Sequence, residues 1–213
     1  MQQDIQTFSE ARQIKYLLHF TRLENLPSIL QNGLVSRSYL DWGIYNGTTN
    51  DIGRFDNRRD YNCLSISFPN CLMFYKYMNE NPEAEWPILL IRPQVLWNYD
   101  TLFCQTNAAA TLISEKSEAE LKTVQAFGSM FAEIEGHTSR ADQLLKICDT
   151  TDVQAEVLVK GIIPPSEIYG VIFRTSACLE AHKAILGDRS AYLSSRRGMY
   201  GNRDFYRRWG NGK

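Results

Sequence analysis

The chain has 213 residues, 44% of them apolar, and a net formal charge of −1. That length suits one large domain, or one domain with a tail, and the mean hydropathy of −0.33 suits a soluble globular protein. No run approaches the roughly 20 apolar residues of a membrane span, and the opening Met-Gln-Gln-Asp-Ile-Gln lacks the basic and then apolar stretch of a signal peptide, so a cytoplasmic location is expected.

Taken in chain order, residues 15–21 read as an apolar strand ending in the polar pair His19 and Thr21 around Phe20. Asn25 to Gly33 reads as a short helix, with Asn25 as N-cap, Pro27 tolerated in the first turn and Gly33 as the stop. Residues 35–61 are polar and rich in Gly, Asn, Asp and Arg; a loop of that length inside a compact domain points to function or disorder. Residues 62–68 alternate as a strand, with Leu64, Ile66 and Phe68 on one face and Ser65 and Ser67 on an exposed one. Residues 71–80 read as a helix turning Leu72, Tyr75 and Tyr77 or Met78 inward. Pro87 to Ile91 is a buried strand, and Leu96 to Thr106 adds a turn and a strand.

Ser117-Glu-Ala-Glu120 is a capping-box pattern opening a helix to about Phe127. A further helix is expected over 141–148. Asp149-Thr-Thr-Asp152 is a polar loop leading into a strand over 154–160. A turn at 164–167, a strand over 168–173 and a helix over 176–186 follow. Strands and helices are interspersed without a regular βαβ period, which favours an α+β fold over a doubly wound sheet.

The last 25 residues stand apart. Basic residues at 189, 196, 197, 203, 207, 208 and 213 face a single acid, Asp204, so the tail carries +6 and residues 1–188 carry −7. Tyr192, Tyr200, Phe205, Tyr206 and Trp209 lie among them. The chain therefore divides into a domain over 1–188 and a basic aromatic segment over 189–213, packed on the domain or continuous with it. Arginine interleaved with aromatics suits single-stranded nucleic acid, because cations follow phosphates and rings stack on bases. A solvated tail whose rings pack back on the domain fits the same residues, and both readings stay open.

The chemistry centres on Gln154-Ala155-Glu156. A Glu at the mouth of an apolar strand needs a polar environment, since strands disfavour Glu and cores exclude unpaired charge. A strand-borne His near one end of a chain and a strand-borne Glu near the other recur in enzymes that cleave NAD at the nicotinamide bond. That cleavage develops positive charge on the ribose, as in glycoside hydrolysis. Glu156 is the candidate carboxylate that stabilises it. His19 and Thr21 share one side of their strand and are placed to reach one ligand. The diphosphate calls for a bidentate arginine; Arg54, after Gly53 and with Asp56 to orient it, is chosen ahead of Arg58. Gln154, on the strand face of Glu156, is the candidate contact to the acceptor. Tyr75 and Tyr77 are core or edge residues, with Tyr75 the candidate ring against nicotinamide. No Gly-x-Gly-x-x-Gly follows the first strand, so a Rossmann site is not indicated. The five cysteines are odd in number and show no C-x-x-C, so free thiols and no metal are expected.

These segments together resemble one family. Leu18-His-Phe-Thr21 with Asn25-Leu-Pro-Ser-Ile-Leu30 and Gly33-Leu34, then Asp51-Ile-Gly-Arg-Phe-Asp56, then Leu64-Ser-Ile-Ser-Phe-Pro-Asn70 with Met73-Phe-Tyr75, and finally Asp152-Val-Gln-Ala-Glu-Val-Leu158 resemble the DarT toxins, ADP-ribosyltransferases of DNA from toxin–antitoxin systems. The resemblance implies an ADP-ribosyltransferase-like fold: a central mixed or antiparallel sheet with flanking helices, using NAD without metal. It implies Glu156 as the catalytic glutamate, Arg54 as the arginine that contacts the NAD phosphate and assists the chemistry, His19 and Thr21 at the nicotinamide end, and target recognition by the loop before Glu156; Phe20 and Tyr75 complete the expected NAD contacts, and Gln154 is the expected acceptor contact. It implies single-stranded DNA as target and a macrodomain antitoxin as partner. Ser-Ile-Ser-Phe-Pro-Asn departs from the aromatic-rich form of the thymidine-modifying branch and is closer to the branch associated with guanine. Related toxins modify RNA. A protein-modifying transferase, and a non-catalytic nucleic-acid-binding module using the tail, are the competing readings.

Overall fold

A computed structural model of the chain describes residues 2–45, 47, 58–195 and 198–209. The elements run α1 (Gln2–Ala11), β1 (Leu17–Phe20), α2 (Leu26–Asn32), β2 (Leu34–Val35), α3 (Arg37–Asp41), β3 (Tyr61–Ile66), α4 (Cys71–Glu80), β4 (Ile88–Ile91), α5 (Val95–Asn98), β5 (Thr101–Cys104), α6 (Thr111–Ser114), α7 (Glu118–Leu121), α8 (Val124–Ser129), β6 (Glu156–Lys160), β7 (Ile162–Ile163), β8 (Ile168–Phe173), α9 (Ser176–His182), β9 (Ser190–Leu193) and α10 (Arg203–Trp209). The main sheet has seven strands in the order β5-β6-β3-β1-β4-β8-β9, and β2 pairs with β7 beside it. Every pairing is antiparallel except β8 with β9. The α+β expectation holds.

Residues directly opposite each other in a ladder share a face, and this sorts the core. Leu17 pairs with Ile66 and Ile91, and Val157 with Leu64 and Phe103; all six belong to one continuous apolar cluster under α1, α2, α5 and α8. The other face is divided. Leu18 and Leu90 join Phe74, Tyr77, Trp86 and Tyr200 in a second cluster, while Leu102, Leu158 and Cys104 join Tyr61, Ala108 and Ile113 in a third. Between the two, Ser65 stands opposite Leu18, and Glu156 opposite Cys104. The register that pairs Leu64 with Val157 brings Ser65 and Glu156 next to each other. The sheet is therefore interrupted on one face by polar side chains, and there the cleft opens.

Several local expectations need correction. The strand over 62–68 stops at Ile66, because Ser67 takes φ 61° and turns the chain. Ser65 is buried rather than on an open face, and its hydroxyl accepts the Asn70 N–H at 3.1 Å. Ser67 donates to the Cys148 carbonyl at 2.9 Å. In α4 the buried positions are Cys71, Phe74 and Tyr77; Leu72 and Tyr75 face solvent. With apolar residues all around this helix, periodicity alone left its phase undetermined. Asn25 stands before α2 as expected, yet its side chain makes no cap bond and donates instead to Thr21 Oγ1 at 3.1 Å. Gly33 takes φ 92°, and an added Cβ would collide with the Ile163 carbonyl oxygen, so the β2–β7 pair can close over α2 only with glycine there.

Residues 141–148 form turns rather than a helix, with Leu144 at φ 56°. Side chains take over the backbone groups of this stretch: Arg140 donates to Lys146 O and Asp149 O at 3.0 and 2.8 Å, and Asp149 Oδ2 accepts at 2.8 Å the Lys146 N–H that a helix would have turned to residue 142. The capping box at Ser117 and Glu120 forms, but α7 ends at Leu121 and Thr123 caps a separate α8. The helix α1 was not read from the sequence; it contributes Ile5 to the core and sets Phe8 against Phe127 at 4.9 Å.

The segment after Gly187 is integral to this architecture. Strand β9 adds the parallel edge to β8. Tyr200 is buried, its hydroxyl 2.7 Å from Trp86 O and 3.0 Å from Ile172 O. Arg203 and Arg207 of α10 are buried as well. Among the described residues no helix is long and apolar enough to cross a membrane.

Candidate active site

Strands β1 and β3 pair over two positions only, Leu17 with Ile66 and Leu18 with Ser65. Beyond Leu18 the first strand stays with β4 through His19 and Phe20. The two strands part there, and the gap becomes a cleft of about 560 Å³, within the roughly 300–1,000 Å³ typical of small-molecule sites. His19, Phe20, Thr21, Gln154 and Glu156 all line it, so residues read from opposite ends of the sequence meet at one place.

His19 spans the gap. Its Nδ1 lies 2.9 Å from the Cys63 carbonyl, and a carbonyl only accepts, so Nδ1 carries the hydrogen. A side chain thus takes over where the backbone ladder ends. Phe20 stacks on Phe74 at 4.4 Å, fixing the strand end against α4. Thr21 is buried, and its hydroxyl accepts from Asn25, which keeps the hydroxyl hydrogen for another acceptor. Asn25 and Ser28 before and within α2 continue this wall.

Glu156 opens β6 and is 6% exposed. Its Oε2 accepts the Ala108 N–H at 2.8 Å, so the loop after β5 closes over the carboxylate, with Asn107, Ala108 and Ala109 lining the cleft. Among the described lining residues Glu156 is the one acid. Gln154 lies in the turn before β6 rather than on the strand. Asp152 sets that turn: Oδ1 accepts the Gln154 N–H at 2.8 Å, Oδ2 accepts the Thr106 hydroxyl at 2.6 Å, and its carbonyl accepts the Thr150 hydroxyl at 2.7 Å.

The cationic side of the site is divided. Arg54 lies outside the described residues, as do Gly53 and Asp56. Arg58 does not line the cleft; it turns to the α6–α7 connection and donates to Lys116 O at 2.9 Å. Lys76 and Arg37 do line it. Tyr75, expected against NAD, is 66% exposed on the outer side of α4 and is not part of the cleft, whereas Tyr77, two positions further along the helix, is. Asn70 was missed as a lining residue. Its Oδ1 caps α4 by accepting the Met73 N–H at 3.2 Å, and its buried Nδ2 finds no partner among the described residues. A buried donor left unsatisfied is costly, and a polar ligand would relieve it. Among the described residues no group of three His, Cys, Asp or Glu side chains could hold a metal ion, and no disulfide joins the cysteines.

The tail's cations are largely engaged within the protein. Arg189 donates to Leu30 O and Pro165 O. Arg207 grips Asp149 with two bonds at 2.7 and 2.6 Å, and Arg203 donates to Thr150 O and Thr151 O at 2.7 and 2.9 Å. Burial pulls the Arg203 pKa below the ordinary arginine value. Of the tail aromatics Tyr200 is buried, Tyr206 packs on Phe68 at 5.5 Å, and Phe205 and Trp209 stay exposed.

The fold has counterparts. The chain superposes on a Thermosipho africanus DarTG in complex with ADP-ribose, with a TM-score of 0.62 and 16% identity over 87% of this chain, and spans about half of that one (51%). It superposes on a Thermus sp. 2.9 DarT in complex with ADP-ribosylated ssDNA, with a TM-score of 0.53 and 15% identity over 91% of this chain and 97% of that one. The same Thermus protein in complex with NAD+ gives a TM-score of 0.52 and 14% identity over 84% and 95% of the two chains. At such identities these likenesses concern the fold. Comparison with curated proteins gave no match. The family model described as "ssDNA thymidine ADP-ribosyltransferase, DarT" matches residues 18–201, from the first strand to just before α10, and the chain therefore belongs to the DarT family of NAD-dependent ADP-ribosyltransferases.

Proposed function

We propose that the cleft binds NAD and that the protein transfers ADP-ribose to a base of single-stranded DNA, releasing nicotinamide. The observation that carries the reading is Glu156: the one acid among the described lining residues, buried, held by Ala108 N–H, and facing the same cleft as His19 and Thr21. A carboxylate fixed in advance where positive charge develops is worth most in a site shielded from water.

In this reading Glu156 accepts a ribose hydroxyl and stabilises the cationic ribose as the bond to nicotinamide breaks and its electron pair leaves with the ring. His19, Phe20 and Thr21 hold the nicotinamide end, and Asn70 Nδ2 offers a further donor to a polar group of the substrate. Arg54 contacts the phosphates. The incoming base forms the new bond to the ribose carbon and sheds a proton, with Glu156 the carboxylate available to take it. Gln154 meets the base edge, since it lines the cleft beside Glu156 at the start of the acceptor side.

Guanine is the proposed base, on the Ser65-Ile-Ser-Phe-Pro-Asn70 departure in and after β3; the family description names thymidine. A macrodomain antitoxin that removes the modification, and a cytoplasmic site of action, complete the proposal. The test is to incubate the protein with adenylate-labelled NAD and, separately, single-stranded oligonucleotides containing guanine or thymine, an RNA of the same sequence, and a protein mixture. Label on the guanine DNA is expected. Label on the thymine oligonucleotide alone overturns the base, label on RNA or protein alone overturns the acceptor, and no nicotinamide release overturns the reading.

A further inference from the structure

Glu156 and Gln154 are two residues apart but are held by different means. Glu156 is inside the ladder, opposite Cys104 of β5. Gln154 precedes the ladder, and its backbone hangs from Asp152. Residues 149–151 are buried without being in a strand or helix. Their three carbonyls, the Asp149 carboxylate and the Thr151 hydroxyl accept from three arginines. Arg207 makes a two-toothed pair with Asp149; Arg203 bonds the Thr150 and Thr151 carbonyls; Arg140 bonds the Asp149 carbonyl and the Thr151 hydroxyl at 2.8 and 3.0 Å. Arg203 and Arg207 come from α10, and they lie beyond residue 201, where the match to the family ends. The Arg207 guanidinium also sits 5.8 Å from the centre of the Phe68 ring, which follows β3.

We propose that α10 is a positioning element for acceptor transfer: Arg203 and Arg207 hold residues 149–152 so that Gln154 faces the cleft, while the ladder and the Ala108 N–H hold Glu156 without them. The inference rests on the function proposed for Glu156 and Gln154. It assigns the two arginines no contact with NAD or DNA; they act through the loop. Arginine suits the task because its planar fork fixes both distance and orientation of a carboxylate, which a lysine does not. The consequence is a separation of activities. Loosening the clasp lets Gln154 wander and spoils transfer to the base, yet leaves NAD cleavage to water at the undisturbed Glu156.

The experiment compares wild type with Arg207→Lys and Arg203→Lys, which keep the charge but lose the fork, and with Arg208→Gln on the exposed side of α10 as control. Each is assayed at a temperature where circular dichroism shows it folded, for label transfer to a single-stranded oligonucleotide and for nicotinamide release without acceptor. The ratio of transfer to hydrolysis is expected to fall at least fivefold in either lysine variant and to stay within twofold in Arg208→Gln. A merely structural role lowers both activities alike and leaves the ratio unchanged; that result in both folded lysine variants overturns the proposal. Hydrogen exchange supplies a readout that needs no activity: the Gln154 amide is expected to lose protection while the amides of 157–160 keep theirs. Equal protection of Gln154 in wild type and variants overturns the proposal, whereas failure of the wild type to cleave NAD overturns only the functional reading beneath it.

Discussion

The two walls of the cleft are built in opposite ways. On the β1 side, His19, Phe20 and Thr21 lie on or next to a strand, and their partners are the Cys63 carbonyl of β3, the Phe74 ring of α4 and Asn25 before α2. On the β6 side, the residues before Glu156 lie outside the ladder and are held by Arg203 and Arg207, about 50 residues further along the chain, and by Arg140. A wall built on a ladder is stiff because each bond is one of many. A wall hung on three arginines depends on each of them. The comparison implies that the acceptor side has a distinct point of failure, remote from the chemistry, which the β1 side lacks.

The largest effect should come from that point. Asp149→Ala leaves Arg207 buried without its carboxylate, in a place where the arginine side chain is 5% exposed and the aspartate not at all. Breaking a buried pair by removing one partner costs about 3–5 kcal/mol, a large part of the stability of a domain. Urea unfolding should show a midpoint lowered accordingly. A loss below about 1 kcal/mol, the worth of a surface pair, would mean that the clasp is not what holds this wall. For the same reason truncation after Gly187 should unfold the protein rather than merely remove charge, since β9, Tyr200, Arg203 and Arg207 go with it. A truncated chain that circular dichroism shows to be folded would instead favour the tail as a separable nucleic-acid arm.

Next comes Glu156→Gln. The glutamine keeps an oxygen for the Ala108 N–H, so the fold should be preserved and NAD should still bind. Nicotinamide release should fall on the order of 100- to 1000-fold, or about 2.7–4 kcal/mol in the barrier, as expected when one electrostatic partner of a transition state is removed. Release at the wild-type rate would remove Glu156 from the chemistry. The pair of variants separates the two devices: the first damages the protein and spares the ladder, the second damages the chemistry and spares the protein.

The sequence made the first device legible and hid the second. Leu17, Leu64, Ile66, Ile88 to Ile91 and Val157 to Val159 announce strands by local pattern, and the polar residues at their ends announce a site. Glu156 was conspicuous because a carboxylate at a strand mouth violates the rule for burial. The clasp left no such mark. Arg203 and Arg207 looked like two more charges in a basic tail, and Asp149 like one more residue of a polar loop; only the fold brings them together. The phase of α4 was hidden for a different reason, since Leu72, Met73, Phe74, Tyr75 and Tyr77 offer an apolar face in every direction. The turns at 141–148 were hidden because side chains of Arg140 and Asp149 compete for helical hydrogen bonds, which propensity does not register.

Gln154→Ala should have a smaller effect, confined to one activity. Its backbone bond to Asp152 survives the substitution, so the loop stays in place and only the side-chain contact to the base is lost. Transfer to single-stranded DNA should fall roughly tenfold, about the worth of one well-made hydrogen bond, with nicotinamide release in the absence of DNA within twofold of wild type. Equal loss of both activities would place Gln154 in the NAD site, and would merge the two walls into one functional unit.

The smallest effect is expected at Tyr75, and it sharpens the comparison within α4. Tyr75 and Tyr77 are two positions apart on a ten-residue helix, and the sequence reading chose Tyr75 for the cleft where the fold places Tyr77. Tyr77 is 9% exposed, stacks near Trp86 at 6.3 Å and lines the cleft; Tyr75 is 66% exposed and does not. Truncating Tyr77 opens a cavity among Phe20, Phe74 and Trp86, and large aromatic truncations in cores cost about 3–5 kcal/mol. Truncating Tyr75 removes a ring already in water, and alanine is at least as good a helix former there, so stability should move by less than about 0.5 kcal/mol. Nicotinamide release by Tyr75→Ala should equal wild type within twofold. Because Tyr75 borders Lys76, a lining residue, its ring remains a candidate for stacking on a base outside the cleft; the variant's affinity for a single-stranded oligonucleotide, measured by anisotropy, decides that separately. A loss of NAD cleavage in a folded Tyr75→Ala would mean that α4 turns its outer face toward the substrate when NAD binds, and the helix phase described above would then hold only for the ligand-free protein.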